Sequence, residues 1–186
     1  RYGENPHQKG IFYGDLNNVI EQLHGKQLSY NNLIDVDAAI NLILEFSDPT
    51  FAILKHNNPC GVASDNQPKE AFVKALAGDP VSAYGGIIVT NTPINVDIAN
   101  EINKIFFEVI IAPNYTEDAI DVLSQKKNRI ILKLKNTNLR KKQFRSLLNG
   151  VLEQDRDMKT ETIEDFKFVT NNKPSDTKEI EDLIFA

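Results

Sequence analysis

Leu33, Val36, Ile40, Ile43 and Leu44 recur at three- and four-residue intervals, a stripe that predicts a helix over residues 30 to 46. Ser47-Asp48-Pro49 ends it, because the residue before a proline is pushed out of the helical region. The apolar run Phe51 to Leu54 then reads as a short strand. The same alternation repeats along the chain. A helix over 69 to 77 is closed by Gly78-Asp79-Pro80, and Gly85 and Gly86 precede the strand Ile87 to Thr90. A third helix, around Val96 to Phe106, leads into the strand Val109 to Ala112. Thr116 is placed to cap another helix reaching Lys126, and Arg129 to Leu134 supplies a further strand. Short apolar strands joined by segments long enough for crossovers predict an α/β fold, a three-layer arrangement around a mixed sheet with parallel components. After Leu134 the pattern weakens: 135 to 142 reads as an exposed loop, and Phe144 to Leu148 and Gly150 to Gln154 read as sheet-edge strands. Ile180, Leu183, Ile184 and Phe185 return to helical spacing at the end.

At 186 residues the chain can bury one core with at most a small appendage. It is 41% hydrophobic without a long uninterrupted apolar run, which argues against a membrane span, and no basic-then-apolar leader opens it, so a cytoplasmic location is expected. A formal charge of −5 disfavours a general nucleic-acid binder, and the Lys-rich stretch from Lys126 to Lys142 reads as solvated surface. Cys60 is the single cysteine, so no internal disulfide can form, in keeping with a reducing compartment.

The best chemical lead is residues 51 to 61, where an apolar strand runs into Lys55-His56-Asn57-Asn58-Pro59-Cys60-Gly61. A strand end is a rigid mount, Pro59 and Gly61 forbid helix continuation, and adjacent Lys and His supply a cation and a base near neutrality. Taken alone, the segment serves equally as a polar strand cap.

Its context is more specific. The chain also carries Arg1-Tyr2-Gly3-Glu4-Asn5-Pro6-His7-Gln8, Gly25-Lys-Gln-Leu-Ser-Tyr-Asn-Asn32 and Ser82-Ala-Tyr-Gly-Gly86. Ile110-Ile-Ala-Pro113, Val151-Leu-Glu-Gln-Asp155 and Asp182-Leu-Ile-Phe-Ala186 follow. In this order the set resembles the formyltransferase part of the bifunctional purine-biosynthesis family that joins AICAR formyltransferase to IMP cyclohydrolase. The resemblance spans essentially the whole chain. It implies a cytidine-deaminase-like fold, with residues 1–134 as the first such subdomain and 135–186 as the connection toward a second. It also implies a fragment: the chain opens without Met, the family's cyclohydrolase precedes the Arg-Tyr-Gly motif, and more formyltransferase follows the Leu-Ile-Phe-Ala segment.

The implied reaction is formyl transfer from 10-formyltetrahydrofolate, as cosubstrate, to AICAR, in a homodimer. Lys55 and His56 are the expected catalytic pair. Arg1, Tyr2, His56, Gly85 and Glu108 are the expected AICAR contacts, with Asn5, His7 and Gln8 shaping the phosphate loop. Glu108 stands where the family has an acidic residue two positions before Ile-Ile-Ala-Pro, although a helix-end charge is also compatible with its position. No metal is expected. Pro59-Cys60 is half of the zinc-deaminase signature, but position 63 is Ala and no His-x-Glu precedes it, so ligands and proton-shuttling Glu are both missing. His7 is read as a loop hydrogen-bonder and His24 as a surface residue. A zinc nucleoside deaminase is therefore the weaker alternative to a formyltransferase, and a noncatalytic AICAR-binding or dimer-assembly fragment the stronger one.

Overall fold

The computed structural model describes residues 3–138, 141–159 and 161–185. The chain divides into two compact units, 1–138 and 139–186.

In the first unit, β1 (Ile20–His24), β2 (Thr50–Lys55), β3 (Asn58–Ser64), β4 (Gly86–Thr90), β5 (Phe107–Ala112) and β6 (Ile130–Leu134) form one sheet in the order β1-β6-β5-β4-β2-β3. The strands β4, β5 and β6 run parallel; β2 is antiparallel to β4, and the edge strands β3 and β1 are antiparallel to β2 and β6. The mixed α/β sheet expected from the apolar runs is thus present. Its helices are α1 (Tyr30–Ile43), α2 (Pro68–Gly78), α3 (Val96–Ile102) and α4 (Glu117–Leu123).

Helix α1 begins with a capping box in which the Ser29 side chain accepts from the Asn32 N–H and the Asn32 side chain accepts from the Ser29 N–H. Pro68 at the start of α2 brings a φ already suited to the helix. The Asn95 side chain caps α3 through the Ile98 N–H. Thr116 does precede α4, but its side chain makes no capping bond to the helix; its hydroxyl donates to Asp118 instead.

Phe51, Ile53, Ile88, Ile110 and Ile131 pack on one sheet face against Phe72 and Ala75 of α2, Ile98 and Ile102 of α3, and Ala119 and Leu123 of α4. Helix α1 lies against β2 and β4 and buries Val36, Ala39, Ile40 and Ile43 outside that cluster. Three layers result. The central strands are buried on both faces, which is why they read as continuous apolar runs.

Four expectations need correction. Residues 58–64 form a strand: Pro59 cannot donate to a ladder, but it lies on the edge of the sheet, where that loss is tolerated. Residues 20–24, with no expected element, form the other edge. The third helix stops at Ile102, where Asn103 caps it and the chain turns into β5. In the second unit, β7 (Lys142–Leu147) and β8 (Gly150–Asp155) are not edges of the large sheet; they pair only with each other, as an antiparallel hairpin. The second unit also contains α5 (Thr177–Phe185), the helix expected from the terminal apolar spacing.

Candidate active site

The antiparallel pairing of β2 with β4 brings the end of β2 beside the start of β4, and the parallel β5 starts alongside. The amino end of α1 faces the same region. A pocket of about 580 Å³ opens there, lined by Lys55, His56, Gly85, Gly86 and Glu108 together with Lys26, Ser29, Asn32 and Asp35. It lies at the amino ends of the parallel strands, the reverse of the usual site in open α/β sheets.

Lys55 closes β2, half-buried, and its ammonium donates to the Tyr84 carbonyl at 2.9 Å. An ammonium has three donors, so two are left for a ligand after this anchor. His56 and Asn57 form the two-residue turn of the β2–β3 hairpin, both with positive φ, 52° and 64°. That is the conformation of the hairpin turns usually built on Asn-Gly. The turn raises the exposed His56 at the pocket edge. Its loop is therefore shorter than the Pro59 and Gly61 reading implied, and Cys60 is an extra residue in β3 where the pairing skips from Ile53–Gly61 to Leu54–Pro59. Burial pushes the Cys60 thiol up, with the Asp79 carboxylate adding to it, so it is not an activated nucleophile.

The two glycines have separate reasons. Gly85 holds φ +76°, and its N–H donates to the Phe106 carbonyl at 2.8 Å; a Cβ at Gly86 would lie 2.8 Å from the Leu54 carbonyl oxygen.

Glu108 belongs to β5, which removes the helix-end reading. Pairing with β4 jumps from Gly86–Phe107 to Ile87–Val109, so Glu108 is the unpaired residue of a bulge. Phe107 and Ile110 both enter the α2–α4 core. Alternation counted back from Ile110 would send Glu108 there too; the register skip instead leaves it on the α1 side. Its Oε2 accepts from Asn32 Nδ2 at 3.3 Å and lies 3.7 Å from Lys26 Nζ.

Lys26, Asn32 and Asp35 were not singled out by sequence reasoning. The available signal was Ser29-x-x-Asn32 directly before the α1 stripe, a capping box whose third residue is Asn rather than the usual Glu or Gln. Arg1 and Tyr2 lie outside the described residues. In the loop after them, the Gly3 N–H donates to the Gln8 carbonyl and the Asn5 N–H to Gln8 Oε1, at 2.7 and 2.8 Å. His7 is exposed, and His24, expected at the surface, is half-buried at the end of β1 with Nε2 3.4 Å from the Lys126 carbonyl.

A family model described as the AICARFT/IMPCHase bienzyme matches residues 1–186. The chain belongs to that family. It is 61% identical over 186 residues to the bifunctional purine biosynthesis protein PurH of Bacteroides thetaiotaomicron, covering all of this chain and 36% of that protein. The proteins of the same name from Caldicellulosiruptor saccharolyticus and Acetivibrio thermocellus are 47% and 45% identical over 196 residues, with 38% of each covered. The chain thus spans little more than a third of the length of these curated relatives. Among the described residues, no helix is long and apolar enough to cross a membrane.

Proposed function

We propose that this chain supplies the nucleotide side of a formyltransferase centre that moves a formyl group from 10-formyltetrahydrofolate to the amine of AICAR. The observation that carries the reading is the gathering of Lys55, His56, Gly85 and Glu108, from three strands and the turns beside them, around one pocket. The acceptor amine is a poor nucleophile because its lone pair is delocalised into the imidazole ring. As it attacks the formyl carbon, it must lose a proton, which His56 accepts; this general-base role is worth roughly 10² to 10⁴ in rate. The carbonyl oxygen takes up negative charge, then the bond from carbon to the folate nitrogen breaks and that nitrogen gains a proton. Lys55, anchored by the Tyr84 carbonyl, stabilises the oxyanion or assists that protonation. Glu108, aimed into the pocket by its bulge, orients a ribose hydroxyl, and Gly85 lets the nucleotide approach the backbone. Arg1 and Tyr2 complete the phosphate side by family resemblance.

The same reading makes unit 1 a cytidine-deaminase-like subdomain and puts the remaining folate contacts in the longer protein, working as a homodimer. Because the chain spans 36% of its Bacteroides relative, the isolated 186 residues should bind AICAR without turning it over. In the full-length bienzyme carrying this sequence, His56→Ala should abolish most formyl transfer while retaining nucleotide binding. Lys55→Met should do likewise, with little rescue by Lys55→Arg, whose larger delocalised cation is not a compact proton donor. Near-normal turnover in His56→Ala, or AICAR bound away from His56 in a soaked crystal, would overturn the assignment.

A further inference from the structure

We infer that Asp35 is a positioning residue for His56, acting through the backbone of Asn57. The inference rests on the proton-accepting role of His56 proposed above. Two consecutive residues other than glycine at positive φ are an uphill arrangement, because the Cβ of an L-residue crowds its own carbonyl there. His and Asn tolerate that region better than most residues, yet neither has the freedom of the glycine usual in such turns. Something must therefore hold the turn. The Asn57 N–H donates to Asp35 Oδ1 at 2.9 Å, a charge-assisted bond from the second turn of α1. Asn58 Nδ2 adds a bond to the His56 carbonyl at 2.8 Å.

Asp35 is well mounted for this work. Its helix neighbours Val36 and Ala39 are buried against the sheet, and α1 is fixed at its start by the Ser29–Asn32 capping box. Asp35 is half-buried and lines the same pocket. The tether thus sets the height and direction of the turn that carries His56 relative to the floor formed by Gly85 and Glu108. Without it, the hairpin tip samples conformations in which the imidazole is displaced, and a general base loses its effect when moved by about an ångström.

The test combines kinetics on the full-length bienzyme carrying this sequence with amide exchange at Asn57 in the 186-residue chain. Asp35→Ala should lower kcat for formyl transfer about tenfold, with KM for the nucleotide little changed, and speed Asn57 exchange by a similar factor. Asp35→Asn should stay within about threefold of the parent kcat, because its carboxamide oxygen accepts the same bond. Asn57→Gly introduced into Asp35→Ala should restore most of the lost kcat, since glycine holds that φ unaided while keeping its N–H. A general structural defect would not be rescued this way.

An Asp35→Ala enzyme with unchanged kcat, or one that Asn57→Gly fails to rescue, overturns the inference. Full activity in His56→Ala would sink the reading of His56, and Asn57 exchange would still decide the tether. Faster exchange in Asp35→Ala sustains it; unchanged exchange overturns it.

Discussion

Replacing Asn32 by Ala should destabilise the first unit by about 2 kcal/mol, shared between a helix cap and a carboxylate contact. Asn32 is 7% exposed, and each end of its amide has a task. Oδ1 accepts from the Ser29 N–H at 3.2 Å and from Ser29 Oγ at 2.9 Å, which leaves Nδ2 to donate to Glu108 Oε2 at 3.3 Å. Water can reach half-buried Ser29 and replace part of what it loses, so the cap is worth about 1 kcal/mol. A bond to a charged acceptor can contribute about 1.5–3 kcal/mol. Here the distance is long and the Glu108 side chain is 39% exposed, which reduces the contact to about 1 kcal/mol. Lys26 changes this sum little, because a 3.7 Å pair with both side chains 39% exposed is screened by solvent.

The assay is urea unfolding of the wild type, Asn32→Ala, Glu108→Ala and the double variant, with amide exchange in β4 and β5 reporting on the first unit. A coupling of about 1 kcal/mol is expected, and Asn32→Asp, which keeps the cap but cannot donate to Glu108, should lose at least that much. Additivity within about 0.3 kcal/mol would refute the link and leave Asn32 as a cap alone.

Gly61→Ala should cost about 3 kcal/mol in urea unfolding, because its Cβ would fall 1.9 Å from the Ala75 carbonyl oxygen and force α2 off β3; an unchanged midpoint would refute that packing. Arg129→Lys should lose about 2 kcal/mol: Arg129 is 4% exposed, and its guanidinium donates to Asn103 Oδ1 and the Ile105 carbonyl while stacking over Phe107 at 4.4 Å, a set an ammonium cannot reproduce. Bonds from the Ser82 side chain and backbone, and then from the Val81 N–H, hold the Asp79 carboxyl below the usual carboxylate range. Its contribution to the 79–85 turn is therefore complete above that range and is lost as pH falls through the depressed value. Amides of this turn should lose protection on acidification in the wild type, and the step should be absent in Asp79→Asn; the same step in both would assign it elsewhere.

The strands β2, β4, β5 and β6 were legible because burial on both faces gives each a run of at least three consecutive apolar residues, even where Glu108 and Lys133 interrupt β5 and β6. The edge strands were not. Ile20-Glu-Gln-Leu-His24 has one buried residue, and Asn58-Pro-Cys-Gly61 reads as a chain of breakers until β2 is known to lie beside it. Helix α1 announced itself by periodicity, yet its contribution to the pocket rests on Asn32, a polar side chain at the amino end of the buried stripe, and on Asp35 at the edge of that stripe, and periodicity names a partner for neither. Their partners, Glu108 and Asn57, are 76 and 22 residues away. Such pairs follow from packing and leave no local pattern.

Glu108 makes the general point most sharply. Alternation along β5 places it with Ile110 and Ala112, facing the α2–α4 core, where a lone carboxylate would be costly. The register skip against β4 removes that conflict and delivers the side chain to Asn32 instead. Two other departures from local rules lie in the β2–β3 hairpin: the positive-φ turn at His56–Asn57, built without glycine, and the extra residue at Cys60. Regular pairing at Glu108 would face the carboxylate into the core, and a relaxed turn at 56–57 would move the imidazole. Local consistency is what makes a sequence fold, so the two departures that line the pocket, the Glu108 bulge and the His56–Asn57 turn, mark where the chain gives up regular structure to aim particular side chains.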